Sequence, residues 1–319
     1  MLTDRIRLTG PESTEPEDYL SSSLAVIFPD DIPNQHGDRD SGVIYSSTRF
    51  GDVELSLADP EGEDSRKLFS HFLWNAGVQT ALFLEGDYEE EEGDSDGNRH
   101  ENSARPPFLS KDFPEPVWDV MGLDVLELGA GTGLAGMIAA LMGARRVVLS
   151  DYPAPEILAN LRANVSRNID RRRKKQLSQP EAGSEDTQAS PIAETAVHGH
   201  EWGVLTDDFS VQNKESFERL IVADCLWMPW QHDNLLASIR WFMKENGRAW
   251  VVAGFHTGRE KMAGFFREER LKQAGLEIEK VWERNAEGRE REWVFDRGIE
   301  DVTARKRWLV IAVLKRRNQ

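Results

Sequence analysis

One run of nine residues, Val125-Leu126-Glu127-Leu128-Gly129-Ala130-Gly131-Thr132-Gly133, limits what this chain can fold into more than any other. It passes from an apolar segment straight into three glycines at alternate positions, and the apolar stretch 134–142 follows at once. That is the pattern of a buried strand, a turn free of side chains, and a helix. Such a turn lets a ligand lie against bare backbone and the helix N-terminus, so the run reads as a nucleotide-type pocket. The spacing is G-x-G-x-G, whereas dinucleotide-binding dehydrogenases carry G-x-G-x-x-G, and a nicotinamide dinucleotide is therefore disfavoured. Two acidic residues accompany the loop: Glu127, just before it, and Asp151, which ends the next apolar strand about 20 residues further on. In an open α/β sheet, a carboxylate at that second position can accept hydrogen bonds from two ribose hydroxyls.

The remainder of the chain extends this βαβ start. A helix over 155–168 places Ile157, Leu158, Leu161 and Val165 on one face. Thr195-Ala196-Val197 reads as a third strand and Leu220-Ile221-Val222 as a fourth, which ends at Asp224 on the carboxyl edge, where such sheets bind ligands. A helix over 231–244 leads to a fifth strand at 248–254, with Phe255-His256-Thr257-Gly258 at the same edge. A helix over 260–273, closed by Gly275, precedes two last strands at 276–284 and 307–314. Near the N-terminus, 43–46 and 53–57 alternate like the two strands of a hairpin, and 66–84 has mostly helical spacing. The expected fold is α/β, a Rossmann-like doubly wound sheet of seven strands with an N-terminal extension and polar insertions.

The segment E-L-G-A-G-T-G, the later S-D-Y-P and A-D-C-L-W together resemble the class I S-adenosylmethionine-dependent methyltransferases. More narrowly, Phe69-Ser70-His71-Phe72-Leu73-Trp74-Asn75-Ala76-Gly77 and Asp151-Tyr152-Pro153 resemble the fungal nicotinamide N-methyltransferase-like group, which includes protein N-terminal and lysine methyltransferases. The resemblance spans roughly residues 66–316 and implies S-adenosylmethionine as cofactor. It implies that Gly129, Gly131 and Gly133 face the methionine and ribose side. Glu127 then orients the loop or reaches the methionine end through water, Asp151 takes the ribose, and Trp202 stacks on the adenine or is a ring packed at the surface. Trp74 walls the cofactor site or is simply core. Asp224 is either a site carboxylate near the transferred methyl group, with Trp227 and His256, or a cap for the helix after it. Trp230 and Phe255 add aromatic surface to the same strand ends.

Hydrophobic residues make up 39% of the chain and charged residues 30%, so part of the polar excess must lie in segments that do not pack. Residues 1–43 read as a loose arm, 85–105 as an acidic solvated loop and 171–194 as an insertion opened by the basic run at 171–175. The expected organisation is an N-terminal arm and hairpin over 1–65 and a methyltransferase domain over 66–316. A net charge of −17 argues against a nucleic-acid backbone as partner and favours a basic protein. The single cysteine, Cys225, forms no intramolecular disulfide and no cysteine zinc site. His198 and His200 lack the further ligands a metal needs. With no signal-peptide core and no membrane-length apolar stretch, the cytoplasm is the expected location, with the nucleus second. The expected activity is N-methylation of a protein lysine or N-terminal amine. A small-molecule N-methyltransferase and a non-catalytic interaction protein stay open beside it, as does the oligomeric state.

Overall fold

The computed structural model describes residues 1–9, 34–37, 41–58, 72–86, 117–178 and 191–318. Its strands, in chain order, are β1 (Ile6–Thr9), β2 (Gln35–His36), β3 (Gly42–Ser47), β4 (Gly51–Leu55), β5 (Leu73–Trp74), β6 (Asp124–Leu128), β7 (Arg146–Asp151), β8 (Glu194–Gly199), β9 (Phe217–Ala223), β10 (Met243–Gly254), β11 (Leu276–Asn285), β12 (Glu290–Glu292) and β13 (Trp308–Arg316). Eight of them form one sheet in the order β12-β11-β13-β10-β9-β6-β7-β8. β6 to β10 run parallel, and β13, β11 and β12 join antiparallel at one side. Chain order runs outward one way through β6, β7 and β8 and the other way through β9 and β10. The crevice at that reversal, outside the carboxyl ends of β6 and β9, is where an open sheet of this kind takes its ligand.

Strand residues alternate between two buried faces, as a sheet covered on both sides requires. Val125, Leu149, Ile221 and Val252 join one apolar cluster, and Leu126, Val148, Leu220 and Val251 join the other. The first is covered by helices α1 (Asn75–Glu85), α2 (Leu134–Leu141) and α3 (Pro155–Val165). A further helix, α4 (Arg171–Ser178), continues α3 through a π-turn at Ser166–Asp170, and α5 (His232–Phe242) covers the second face.

Several elements differ from the sequence-based expectation. The first nine residues are not a loose arm: Ile6–Thr9 pairs with β3, and β3 with β4, making a separate three-stranded sheet whose Val43, Tyr45, Val53 and Leu55 enter the core. The basic run at 171–175 is helical rather than irregular. Sequence periodicity misses α4 because nothing on it is buried. It is attached by hydrogen bonds instead. Side chains at four-residue intervals along the continuous helix meet the free edge of β4 and the residues after it. The Asn160 amide donates to the Ser56 carbonyl at 2.9 Å, Asn164 accepts from the Ser56 amide at 2.9 Å, Asn168 accepts from the Glu54 amide at 3.1 Å, and Arg172 donates to the Phe50 and Asp52 carbonyls at 2.8 and 2.7 Å. The row stands where a fourth strand would add, and it satisfies an edge that would otherwise be open.

Elsewhere the single helix expected over 260–273 is broken into Arg259–Ala263, a 3₁₀ turn at Gly264–Phe266, and Glu268–Gln273. The last connection contributes an eighth strand, β12, to the sheet. Over 66–84, only 72–84 is described, and it gives the short β5 and then α1, which runs on to Glu85. The acidic run at 87–96 and residues 179–190 of the second expected insertion lie outside the described residues.

The antiparallel side of the sheet is held to the loop after β10 by a buried ion network. Arg259, 6% exposed, donates to the fully buried Glu283 at 2.6 and 3.1 Å and to Glu300 at 2.8 and 3.0 Å, with its guanidinium over Phe255 at 4.3 Å. Arg291 and Arg297 also reach Glu283, at 2.7 and 3.3 Å. Removing one partner of a buried pair leaves a charge without compensation, which costs several kcal/mol. Arg259→Ala should therefore lower the unfolding free energy by about 3 kcal/mol in urea denaturation, with Arg291 and Arg297 keeping the loss at the lower end of that range. A loss under about 1 kcal/mol would mean that those two arginines satisfy Glu283 by themselves.

Candidate functional site

At the carboxyl end of β6 the backbone of Gly129, Gly131 and Gly133 turns through φ values of 67°, 55° and 81°. A Cβ disfavours this left-handed region, so the alternation of glycine follows from the turn itself. Two carboxylates hold the turn. Asp151, at the end of β7, accepts from the Gly131 amide at 2.6 Å and from the Tyr152 amide at 2.7 Å. Glu127 accepts from the Gly136 amide in the first turn of α2 at 2.9 Å, and the Ser150 hydroxyl donates to its carbonyl at 2.8 Å. Both carboxyls are almost wholly buried. Burial pushes Glu127 up to about 8 against the Gly136 amide, and the charge of Asp151 adds to the rise. Burial pushes Asp151 up to about 6, opposed by the amides of Gly131 and Tyr152.

Around this loop lies a cleft of about 940 Å³, part of it open to solvent. Trp74, Glu127, Gly129, Gly131, Asp151, Trp202, Asp224 and Trp227 all line it. Gly129 allows a close approach: a Cβ there would stand 2.7 Å from the Cys225 sulfur and 3.1 Å from the Trp202 ring. Gly133 is not in the lining. A Cβ at that position would meet Leu161 at 2.5 Å and Leu149 at 2.9 Å, so this glycine serves helix packing behind the loop.

Asp224 follows β9 in the left-handed region, with φ 57°, a strained conformation for a residue with a Cβ. Its amide continues the ladder to Val252 at 2.8 Å, while its Oδ1 accepts from the Gly254 amide at 3.1 Å and lies 3.9 Å from His256 Nε2. Burial raises its pKa, opposed by His256 and the Gly254 amide. No helix-capping bond from Asp224 forms at α5, whose N-terminal neighbour is Gln231. His256 is outside the lining yet stacks on Trp74 at 4.8 Å and 25°, so it backs the wall that Trp74 presents. Trp74 is itself placed by β5, which pairs with Gln35.

Phe255 does not reach the site. It is fully buried, stacked on Trp293 and covered by Arg259. Trp230 is also outside the lining and is 73% exposed. Cys225 lines the cleft, but its thiol donates to the Leu128 carbonyl at 3.3 Å and burial holds its pKa well above the ordinary thiol value, so it is no nucleophile. His200 bonds Ser238 at 2.9 Å and is lowered by burial to about 4; with His198 it packs on Phe209. Among the described residues no group of three or more His, Cys, Asp or Glu could hold a metal ion, and no helix is long and apolar enough to cross a membrane.

Sequence reasoning missed Tyr152, Glu201, Met228 and Gln231 as lining residues. Tyr152 had a signal, because it follows the strand-end Asp151. The others sit on loops whose path only the tertiary structure decides.

The model of one family, described as lysine methyltransferase, matches residues 61–272. The protein N-terminal and lysine N-methyltransferase of Kluyveromyces lactis is 26% identical over 251 residues, 77% of this chain and 76% of that protein. The protein of the same name from Candida glabrata is 28% identical over 238 residues, 74% and 73% of the two chains. Of the solved structures, a TehB-like SAM-dependent methyltransferase from Corynebacterium glutamicum is similar with a TM-score of 0.38 at 18% identity, over 62% of this chain and 82% of that one.

The two loop carboxyls make stability depend on pH with a definite sign. Each binds its proton more tightly when folded than when unfolded, so their contribution is complete below the ordinary carboxylate range and is lost as pH rises through about 6 for Asp151 and about 8 for Glu127. In urea titrations of the ligand-free protein, wild type should lose stability relative to Glu127→Gln from about pH 4.5 to about pH 8, by at most about 1.4 kcal/mol per pH unit. A constant difference across that window would show that Glu127 is ionised throughout.

Proposed function

Since the chain belongs to the lysine methyltransferase family, whose model covers residues 61–272, and takes its methyl group from S-adenosylmethionine, we propose that it N-methylates a lysine or the N-terminal amine of a basic protein in the cleft at the carboxyl ends of β6, β7 and β9. The observation that carries this reading is the set of groups in one cleft. Three buried carboxyls, Glu127, Asp151 and Asp224, stand beside a turn of bare backbone and the rings of Trp74, Trp202 and Trp227. His256, at 3.9 Å from Asp224, is the nearby imidazole. Such a site is short of positive charge and rich in flat apolar walls, which suits a ligand with cationic centres and an aromatic base.

The cofactor supplies an electrophilic methyl group on sulfur, whose leaving thioether is neutral. The residues here bind, orient and keep water away. Asp151 already accepts two backbone bonds, which fix its carboxylate, and its remaining lone pairs would accept from the ribose hydroxyls of the bound cofactor. Glu127 and the amides of the glycine turn would hold the amino-acid end of the bound cofactor, and Trp202 would stack on its base. The acceptor amine enters beside Asp224, with Trp74 and Trp227 as walls. Oδ1 of Asp224 is held by the Gly254 amide, which leaves Oδ2 to take the hydrogen of the incoming amine. Burial raises the affinity of that carboxylate for a proton, and the same dry walls lower the proton affinity of an amine, so both effects favour the neutral, nucleophilic amine. Alignment at roughly 3–3.5 Å contributes most of the acceleration, on the order of 7–11 kcal/mol.

Calorimetry with S-adenosylmethionine tests the cofactor half. Gly131→Val places a branched side chain at φ 55° on the cleft wall and should abolish binding. Asp151→Ala should weaken it by about 1.5–3 kcal/mol; unchanged affinity in both variants would remove the assignment.

The substrate half is tested by tritiated-methyl transfer into size-separated lysate proteins and into nicotinamide, across a salt series. A labelled protein band that fades with added salt is expected, because salt screens the attraction between a chain of net charge −17 and a basic partner. Strong, salt-insensitive turnover of nicotinamide without any labelled protein would overturn the reading.

A further inference from the structure

All ten tryptophans of the chain fall within the described residues, and nine are buried or half-buried. The tenth, Trp230, is 73% exposed. It sits in the 3₁₀ turn Pro229–Gln231, directly between Met228 and Gln231, which both line the cleft. The turn is held in place. Its residue Gln231 donates its amide to the Met228 carbonyl at 2.9 Å and accepts from the Asn234 side chain at 2.7 Å, and the fully buried His232 bonds the Leu226 carbonyl at 2.9 Å. A large apolar ring is thus kept mostly in water beside the cleft by a fixed turn.

The other lip of the mouth is the loop after β8. Glu201 lines the cleft there and is exposed, and among the described residues no cation lies within ion-pair distance of it. The two loops approach one another at Gly203, where an added Cβ would stand 2.7 Å from the side chain of Asn234, near the start of α5.

We propose that Trp230 and Glu201 form a docking rim that reads a cationic residue flanking the methylated amine, so that the acceptor is taken as a polypeptide segment carrying a second lysine or arginine. An exposed indole face and a carboxylate at the same cleft suit a side chain with an aliphatic stem and a cationic head. Because Trp230 sits between the lining residues Met228 and Gln231, a chain whose amine enters the cleft on that side meets it. A net charge of −17 favours a basic segment in the same way. The inference rests on the reading of the cleft as a protein methylation site and adds which neighbours of the target it selects.

The test uses synthetic peptides with one central lysine and flanking positions varied among Ala, Leu, Arg and Glu. They are methylated with tritiated S-adenosylmethionine by wild type, Trp230→Ala and Glu201→Gln. Wild type should prefer Arg over Glu at a flanking position by about tenfold or more in kcat/KM. Trp230→Ala should raise KM for the preferred peptide about tenfold, with kcat within about twofold of wild type and the calorimetric Kd for S-adenosylhomocysteine unchanged. Glu201→Gln should erase the preference for Arg. An unchanged KM in Trp230→Ala, or binding of S-adenosylhomocysteine with no peptide labelled, overturns the rim and leaves the cofactor site standing. Failure of wild type to bind S-adenosylhomocysteine overturns both.

Discussion

The hydrogen bond from the Gly131 amide to the Asp151 carboxylate, at 2.6 Å, joins the turn after β6 to the end of β7, and the geometry of the cleft depends on it. A turn made of glycines has many conformations open to it in an unfolded chain, so its single folded path has to be imposed from outside. Asp151 imposes it on one side and Glu127, through the Gly136 amide, on the other. Because both carboxyls are buried, the bonds act in a dry environment where an alternative partner is scarce. The loop is therefore shaped before any ligand arrives, which lowers the ordering cost of binding.

The same burial that makes these bonds effective leaves the site short of positive charge. Glu127, Asp151 and Asp224 stand at the ends of neighbouring parallel strands, and each gains affinity for a proton from its surroundings. A cationic cofactor supplies what the fold withholds, so the cleft suits it by an electrostatic deficit as well as by shape.

Much of this was legible in the sequence, for physical reasons that also explain the exceptions. The run from Val125 to Gly133 combines an apolar strand with glycines that only a left-handed turn calls for, and Asp151 and Asp224 end apolar strands, so all three announce the carboxyl edge of a sheet. Ile6–Thr9 carries little apolar signal of its own and is a strand only because β3 lies beside it. α4 has no buried face and is held through Arg172 and the asparagines before it, a form of attachment that hydrophobic periodicity does not record. Phe255 and His256 are neighbours in the chain, yet the backbone turn after Gly254 sends one into the core and the other onto Trp74. Gly133 belongs to the motif but answers to Leu149 and Leu161 rather than to the cleft.

Asn164, fully buried on α3, carries one consequence further. Its side-chain amide donates both to the Thr132 carbonyl inside the glycine turn, at 3.1 Å, and to the Ser56 carbonyl beyond β4, at 2.9 Å, while its oxygen accepts from the Ser56 amide. A single planar group thus has one hand on the cofactor loop and the other on the N-terminal sheet. Neither can shift relative to the other without breaking one of these bonds, so Asn164 couples the two. The N-terminal strands, which look like an appendage in the chain, are in this sense part of the floor on which the cofactor loop stands.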